Sequence, residues 1–274
     1  MPELPEVENT RRYLIEAGLP GKTFSLVNIG WANSVKYPSL EDFVLGLPGR
    51  TVQAVNRRGK YLILPLNTGE TLVLHLGMTG GIRLHPKSLA PPPMTRHTLE
   101  LGGELEGGSE LRFIDPRKFG HLWLVDDLQQ AVPVMGPEPL EDGFSQAVLA
   151  AALVGRKAPI KALLLEQSIV AGLGNLYADE ALYLSGIHPE RAAVGLTQEE
   201  VARLRDAIVC SLTRALAQYD QGRKDHWPDP PFGLATWTIP RKSGGPCVKC
   251  ATPMELIRVR ARSTYFCPRC QPER

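Results

Sequence analysis

The sequence predicts an α+β fold: an N-terminal helix leading into a β domain built as a sandwich or barrel-like sheet pair, then a helical domain, then a small cysteine-bearing hairpin. Three observations predict it. Six short β-like runs separated by turn residues fill the first half of the 274-residue chain. From about Asp127 the pattern changes to helical segments. Four of the five cysteines fall in the tail after Arg241, as two close pairs. A hydrophobic fraction of 43% and a charged fraction of 22% are those of a globular protein. No apolar run approaches the roughly 20 residues that cross a bilayer. The N-terminus lacks a basic stretch followed by an apolar core, so a cytoplasmic location is expected.

Each element follows in order. Pro5 suits the first turn of a helix, where a missing N–H costs nothing. Val7, Thr10, Leu14 and Ala17 recur at helical spacing, and Gly18 ends the run. That helix does not explain Pro2. The candidate strands are "TFSLVNIGW", "TVQAVNRRGKYLILPL", "ETLVLHLGM", "HTLELGG", "ELRFID" and "HLWLV", with turns at Asn67–Gly69, Gly80–Gly81 and Gly102–Gly103. "SLEDFVLGL" is a short helix with Ser39 as its N-cap. "SLAPPPMTR" is a loop, because three consecutive prolines continue neither ladder nor helix. "VMGPEPLEDGF" is a linker. Helices follow from Ser145, in "PIKALLLEQS", in "NLYADEALYLSG" and in "TQEEVARLRDAIVCSLTRALAQY". The last opens on Thr197 and Glu200, a capping-box pair, and holds Cys210 as a buried helix residue. "DQGRKDHWPDPPFG" is then a long loop, of a length that is often functional.

Net charge is only +2, but its distribution is uneven. From Arg241 onward eight basic residues face only Glu255 and Glu273, a balance suited to phosphate or simply to a solvated face. "CVKC" and "CPRC", sixteen residues apart, bring Cys247, Cys250, Cys267 and Cys270 into that tail. Two thiolate pairs at this spacing wrap one tetrahedral zinc ion. With four protein ligands no position is left for a substrate, so this one zinc is structural.

Two further features could carry chemistry. In "GLGNLYADEALYLSG", Gly172 and Gly174 let backbone approach a ligand, and Asn175 caps a helix whose free N–H groups suit an anion such as phosphate. A glycine turn between packed helices is the plainer alternative. "RRGKYLIL" sets Lys60 at the start of a strand, while "HLGMTG" and "DPRKFG" set Met78, Arg117 and Phe119 on turns. Singly, Met78 and Phe119 read as core. Together with arginine they form the set that a DNA-kinking protein uses, an apolar wedge with a guanidinium for the edge of an unpaired base.

At these residues the chain resembles the bacterial formamidopyrimidine-DNA glycosylase group, within the larger family that includes endonuclease VIII. "PELPEVE", "RRGKYL", "HLGMTG", "DPRKFG", "GLGNLYADEAL" and "CVKC…STYFCPRC" carry the likeness, in order, over essentially the whole chain. "PELPEVE" is similar to the formamidopyrimidine branch. The resemblance implies a catalytic β-sandwich domain at 2–127, a linker at 128–143 and a helix-two-turn-helix domain at 144–225. A lesion-capping loop at 226–240 and a zinc-finger hairpin at 241–274 complete it. It also implies that Met1 is removed, so that Pro2 becomes the N-terminus. An α-amino group has a reference pKa about 2.5 below that of lysine, so far more of it is neutral and nucleophilic near pH 7. A secondary amine forms an iminium without first losing a proton.

The implied activity is a bifunctional glycosylase and lyase acting on oxidised purines in duplex DNA, or on an abasic site, as a monomer. Pro2 is the implied nucleophile, Glu3 the acid/base at the sugar, and Lys60 the lysine near the lesion and its phosphate. Lys161, Asn175 and Arg262 match phosphate contacts. Met78, Arg117 and Phe119 match residues that fill the gap left by a flipped nucleotide, and Glu6 a carboxylate at the base of the pocket. The stretch between Cys210 and Cys247 departs from the family pattern, and "GRxT" is altered to "ARST" around Arg262. The same chemistry on oxidised pyrimidines, and a non-catalytic zinc protein that binds damaged DNA, stay open as alternatives.

Overall fold

The computed structural model describes residues 2–102, 108–226 and 235–273, and its architecture is α+β. The chain forms two compact units. The first comprises Pro2, Glu6–Val134 and 220–226; the second comprises Glu3–Pro5, Met135–Tyr219 and 235–273. No helix among the described residues is long and apolar enough to cross a membrane.

The first unit contains most of α1 (Leu4–Glu16), then β1 (Thr23–Ile29), β2 (Val35–Tyr37), α2 (Leu40–Gly46), β3 (Asn56–Arg58) and β4 (Tyr61–Pro65). It continues with β5 (Thr71–His75), β6 (Gly81–Pro86), β7 (Thr95–Gly102), β8 (Ser109–Ile114) and β9 (His121–Val125). One sheet runs β1-β7-β8-β6 and the other β2-β9-β5-β4-β3. Alternation puts one leucine row of the second sheet, Leu62, Leu74 and Leu122 in direct register, into the core. Phe24, Leu99, Leu111 and Phe113 of the first sheet join the same core. The sandwich is thus two apolar faces meeting.

Ser39 caps α2 as expected, accepting from the Asp42 amide at 3.1 Å. One expectation is corrected and two strands are added to those read from the sequence. Gly81–Pro86 is strand β6, a stretch for which the sequence predicts no element, between the Gly80–Gly81 turn and the proline loop; Ile82 packs in the core, and Ile82 and Leu84 alternate with Arg83 and His85 as a strand requires. "TVQAVNRRGKYLILPL" divides into β3 and β4 at Gly59–Lys60, so Lys60 sits in a hairpin turn. Val35–Tyr37, too short to read, adds a parallel edge strand against β9.

The second unit holds α3 (Gln146–Leu153), α4 (Ile160–Leu164), α5 (Asn175–Ser185), the greater part of α6 (Gln198–Asp225), β10 (Glu255–Val259) and β11 (Arg262–Phe266). Its core includes Leu149, Leu163, Leu173, Leu182, Leu204 and Ile208. The Thr197–Glu200 capping box forms in both directions, at 2.8 and 3.2 Å.

Two expectations on α6 also change. The helix continues through "DQGRKD" instead of yielding to loop at Asp220. Within the first unit Asp220 pairs with Arg12 at 2.7 Å, and Arg223 bonds Glu16 at 2.8 Å and Asn9 at 2.7 Å. These tertiary partners hold turns that their polar sequence alone does not. Cys210 is exposed, not buried: the apolar side of α6 is carried by Leu204, Ile208 and Leu212.

Candidate functional site

Glu3 is completely buried, and its carboxylate lies on the N-terminus of α5. It accepts from the amides of Leu176 at 2.9 Å and Tyr177 at 3.3 Å. A helix N-terminus leaves such donors unpaired and carries partial positive charge, so a carboxylate suits it. The anion expected there as a phosphate is therefore a side chain of the protein itself. The cap is also not Asn175, which is the first helical residue; Gly174 occupies the N-cap and supplies no side-chain bond. Glycine is required at 174 because a Cβ there would overlap the Glu3 carboxyl. The Leu4 amide adds a bond to the Gly172 carbonyl at 3.0 Å. The chain start is thereby fixed to α5, and half-buried Pro2 directly precedes the fixed residue.

Lys161, on α4, is completely buried. Its ammonium pairs with Asp179 of α5 at 2.5 Å and donates to Thr264 Oγ1 at 2.6 Å and the Ser263 carbonyl at 3.2 Å. Burial pushes the Lys161 pKa down and that of Asp179 up, and the attraction between the two charges opposes both shifts. The expectation of a direct phosphate contact is corrected: an ammonium with three partners and no exposed surface holds the protein together. Asn175 Nδ2 donates to the same Ser263 carbonyl at 3.1 Å, and its Oδ1 has no partner among the described residues. Arg262 opens β11 one residue earlier and is exposed. Lys161 and Asn175 thus converge on the carbonyl of Ser263, the residue after Arg262. The two-residue turn before it, Arg260–Ala261, has positive φ at both positions (46° and 60°), the conformation that matches hairpin twist.

Cys247, Cys250, Cys267 and Cys270 have all their sulfurs within 4.8 Å of one another. The Cys247–Cys270, Cys250–Cys267 and Cys250–Cys270 separations are 3.9, 3.5 and 3.5 Å. Tetrahedral zinc with bonds near 2.3 Å requires sulfurs about 3.8 Å apart. The residues therefore fit one structural zinc ion. Amides of Lys249 and Cys270 point at the sulfurs of Cys247 and Cys267, each at 3.4 Å, as knuckles do. Buried Tyr183 donates toward Cys247 at 3.1 Å and joins the hairpin's own small core with Ile239 and Met254.

In the first unit, Met78 lies on the turn after β5, and Arg117 and Phe119 on the turn after β8. Phe119 is exposed, and the Arg117 guanidinium lies 5.1 Å from its ring centroid. Lys60 is half-buried in the β3–β4 turn, and Glu6 half-buried in the first turn of α1.

Three residues missed by sequence reading support these side chains, although quoted motifs contain them. Asp115 receives Thr79 and two backbone amides. Asp179 joins Lys161 to Arg241, the latter at 2.9 Å. Glu180 accepts from the amides of Thr238 and Ile239 at 2.9 and 3.0 Å. An acidic residue amid glycines and apolar positions was the available signal. Of the expected capping segment 226–240, residues 227–234 lie outside the described residues; His226 closes the last turn of α6.

A model of the formamidopyrimidine-DNA glycosylase N-terminal domain matches residues 1–122, and one of the formamidopyrimidine-DNA glycosylase H2TH domain matches 135–226. The zinc finger found in FPG and IleRS matches 244–272. The formamidopyrimidine-DNA glycosylase of Herpetosiphon aurantiacus is 41% identical, over 99% of this chain and 100% of the relative. That of Chloroflexus aggregans is 39% identical, over 99% and 98%. The crystal structure of MutM (Fpg) from Thermus thermophilus superposes with a TM-score of 0.83 at 38% identity, over 99% of each chain. The Lactococcus lactis enzyme, bound non-covalently to DNA containing an AP site, gives 0.84 at 32%, over 99% and 100%. These matches define a class, the zinc-finger DNA glycosylases that are also AP lyases. Within it, the chain belongs to the formamidopyrimidine-DNA glycosylase family.

Proposed function

We propose that this chain excises oxidised purines, 8-oxoguanine and formamidopyrimidines, from duplex DNA and then cleaves the abasic site, with Pro2 as its nucleophile. The observation that carries the reading is the Glu3 carboxylate fixed on the amides of Leu176 and Tyr177, one residue from Pro2. An anchor at the second residue of the processed chain holds the terminal amine in place, where an ordinary terminus frays.

Removal of Met1 frees the Pro2 amine. The damaged base is flipped from the stack, because its glycosidic carbon is shielded inside the duplex. The Pro2 lone pair attacks C1′, the N–C bond forms, and the bond to the base breaks. The proton that the Pro2 nitrogen loses on forming this bond passes to Glu3, which gives it to the sugar ring oxygen as the ring opens, leaving an iminium at C1′. The iminium makes the C2′ proton acidic. Loss of that proton expels the 3′ phosphate, and a second elimination expels the 5′ phosphate. Lys60 lies near the lesion and its phosphate, and Glu6 lines the base of the pocket.

Met78, Arg117 and Phe119 fill the gap left by the flipped nucleotide, and Asn175 and Arg262 contact phosphate. Lys161 serves the same surface indirectly, through Ser263 and Thr264. Bound zinc supplies no chemistry to the reaction; it holds the hairpin that presents Arg262. The parsing into domains at 2–127, 144–225 and 241–274, joined by a linker at 128–143 and a capping segment at 226–240, belongs to this reading. So do action as a monomer and a place in the cytoplasm, on the nucleoid through DNA.

The test is a panel of duplexes bearing 8-oxoguanine, formamidopyrimidine, thymine glycol or an abasic site, incubated with the zinc-loaded protein. Excision of the two purine lesions well ahead of thymine glycol is expected. Preference for thymine glycol would move the substrate class to oxidised pyrimidines. Binding without strand cleavage on any duplex would leave only a damaged-DNA-binding protein.

A further inference from the structure

We propose that Asp115, acting through Thr79, is a positioning residue that makes Met78 and Phe119 one rigid wedge. The inference rests on the proposed insertion of these side chains into DNA. It adds a residue pair that aims them.

Asp115 is 1% exposed at the head of the turn that follows β8. One carboxylate oxygen accepts from Thr79 Oγ1 at 2.8 Å and from the Arg117 amide at 3.2 Å. The other accepts from the Gly120 amide at 2.7 Å. One side chain therefore closes the turn that bears Arg117 and Phe119, and also reaches across to the turn that bears Met78. Bonds to a carboxylate are among the stronger hydrogen bonds, and three on one group fix its orientation.

The base of the assembly is fixed as well. The Asp115 amide donates to the Met94 carbonyl at 3.0 Å, and the Arg96 guanidinium donates to the carbonyls of Asp115 at 2.8 Å and Pro116 at 3.3 Å. The two turns also meet backbone to backbone. Gly77 has a φ of +65°, and a Cβ there would overlap the Phe119 carbonyl and the Gly120 amide. Glycine is thus the residue this approach admits.

The consequence concerns Met78 and Phe119 together. A wedge that unstacks a base pair works against the stacking energy, and a loose side chain would yield instead. With Thr79 bonded to Asp115, displacement of one turn carries the other. Thr79 itself is exposed, so its hydroxyl is not required for the core. That makes Thr79→Val, equal in shape but lacking the donor, the informative substitution. Thr79→Ser restores the hydroxyl.

The experiment uses the zinc-loaded full chain and a duplex with 8-oxoguanine and 2-aminopurine beside it, whose fluorescence reports unstacking. Single-turnover excision is measured on the same duplex, and cleavage of an abasic site in single-stranded DNA serves as the denominator. For Thr79→Val the fluorescence rise falls, and the duplex-to-single-strand rate ratio falls by on the order of 10- to 100-fold, as for a displaced positioning group. Thr79→Ser returns both to near the parent values, and Asp115→Asn behaves as Thr79→Val does. If Met78→Ala abolishes the fluorescence rise while Thr79→Val leaves it and the ratio unchanged, the coupling is refuted and the wedge stands. If Met78→Ala and Phe119→Ala leave the rise intact, the wedge reading fails and this proposal fails with it.

Discussion

Glu3 and Leu176 are 173 positions apart in the chain, yet the Glu3 carboxylate accepts the Leu176 amide proton at 2.9 Å. The bond satisfies a helix N-terminus and at the same time fixes the residue next to the proposed nucleophile. Glu3→Gln keeps the size of the side chain but can turn an NH2 group toward amide donors. It is expected to cost about 1–3 kcal/mol of stability, as lost caps and unpaired buried donors do. Cleavage at an abasic site should fall by roughly 10²- to 10⁴-fold, the usual effect of losing an acid/base group. Denaturant unfolding and single-turnover cleavage measure the two. A full loss of stability with unchanged cleavage would leave Glu3 a cap and nothing more.

Lys161 and Asp179 give the second prediction. Lys161→Met leaves a buried carboxylate without its nearest cation and is expected to destabilise the fold by roughly 3–5 kcal/mol. Lys161→Met with Asp179→Leu should recover most of that loss, because an apolar pair of similar volume replaces an ion pair cheaply. Arg262→Ala should behave differently. It removes an exposed cation, so stability should stay within about 0.5 kcal/mol and the salt dependence of DNA binding should flatten by about one counterion. A flattened salt slope in the double variant equal to that of Arg262→Ala would return Lys161 to the phosphate surface.

Acid sensitivity follows from the sandwich. Burial holds His75 down at about 4, helped by the neighbouring His121 ring and the Lys60 ammonium. His97 is also at about 4; burial is the main cause, with Asp115 opposing and Arg96 adding. Both are neutral in the fold at pH 7. Their unfolded forms take protons near 6.5, so the unfolded state binds more protons between about 6.5 and 4, and stability falls as pH drops through that window.

Glu8 acts lower down the scale. Its burial would raise the pKa, but hydrogen bonds from Arg11 and Arg12 and the charges of Arg11 and Arg57 hold it at about 2. The stability it contributes is complete above about 4.5 and is lost as pH falls toward 2. Denaturant midpoints should therefore drop in two stages, the first beginning near pH 6.5. A flat profile from pH 7 to 5 would contradict the buried neutral histidines.

Zinc removal is the fourth prediction. Among the described residues the hairpin core is small, Tyr183, Ile239, Met254 and the cysteines with Trp237 and Tyr265 packed against them, and a core of that size depends on its ion. Chelation should release about one zinc per chain, in keeping with a four-thiolate site. It should also weaken binding to an abasic duplex at least about tenfold, roughly 1.4 kcal/mol. Cys267→Ser should do the same. Undiminished affinity after complete zinc loss would separate the hairpin from DNA binding.

How far the sequence reveals all this depends on the kind of signal. Periodicity exposes β4, β5 and β9, whose leucines alternate cleanly, and the cysteine spacing exposes the hairpin. β6 escapes because its alternation of Ile82 and Leu84 with Arg83 and His85 is only four residues long, squeezed between the Gly80–Gly81 turn and the proline loop. The last turns of α6 escape because their stability comes from Arg12, Glu16 and Asn9, more than 200 positions away. Local glycines mark the head of α5 as an anion site. Only the fold discloses that the anion is Glu3, and that Lys161 faces inward to Asp179.

The central claim is a covalent bond between the Pro2 nitrogen and C1′ of deoxyribose. The zinc-loaded protein is incubated with an abasic-site duplex and borohydride, digested, and its N-terminal peptide is sequenced by mass spectrometry. The predicted result is a peptide that begins at Pro2 and carries the reduced sugar on its nitrogen, with no adduct from Pro2→Gly made with its initiator methionine retained. An adduct on Lys60, or full cleavage by a chain that keeps Met1, would contradict it.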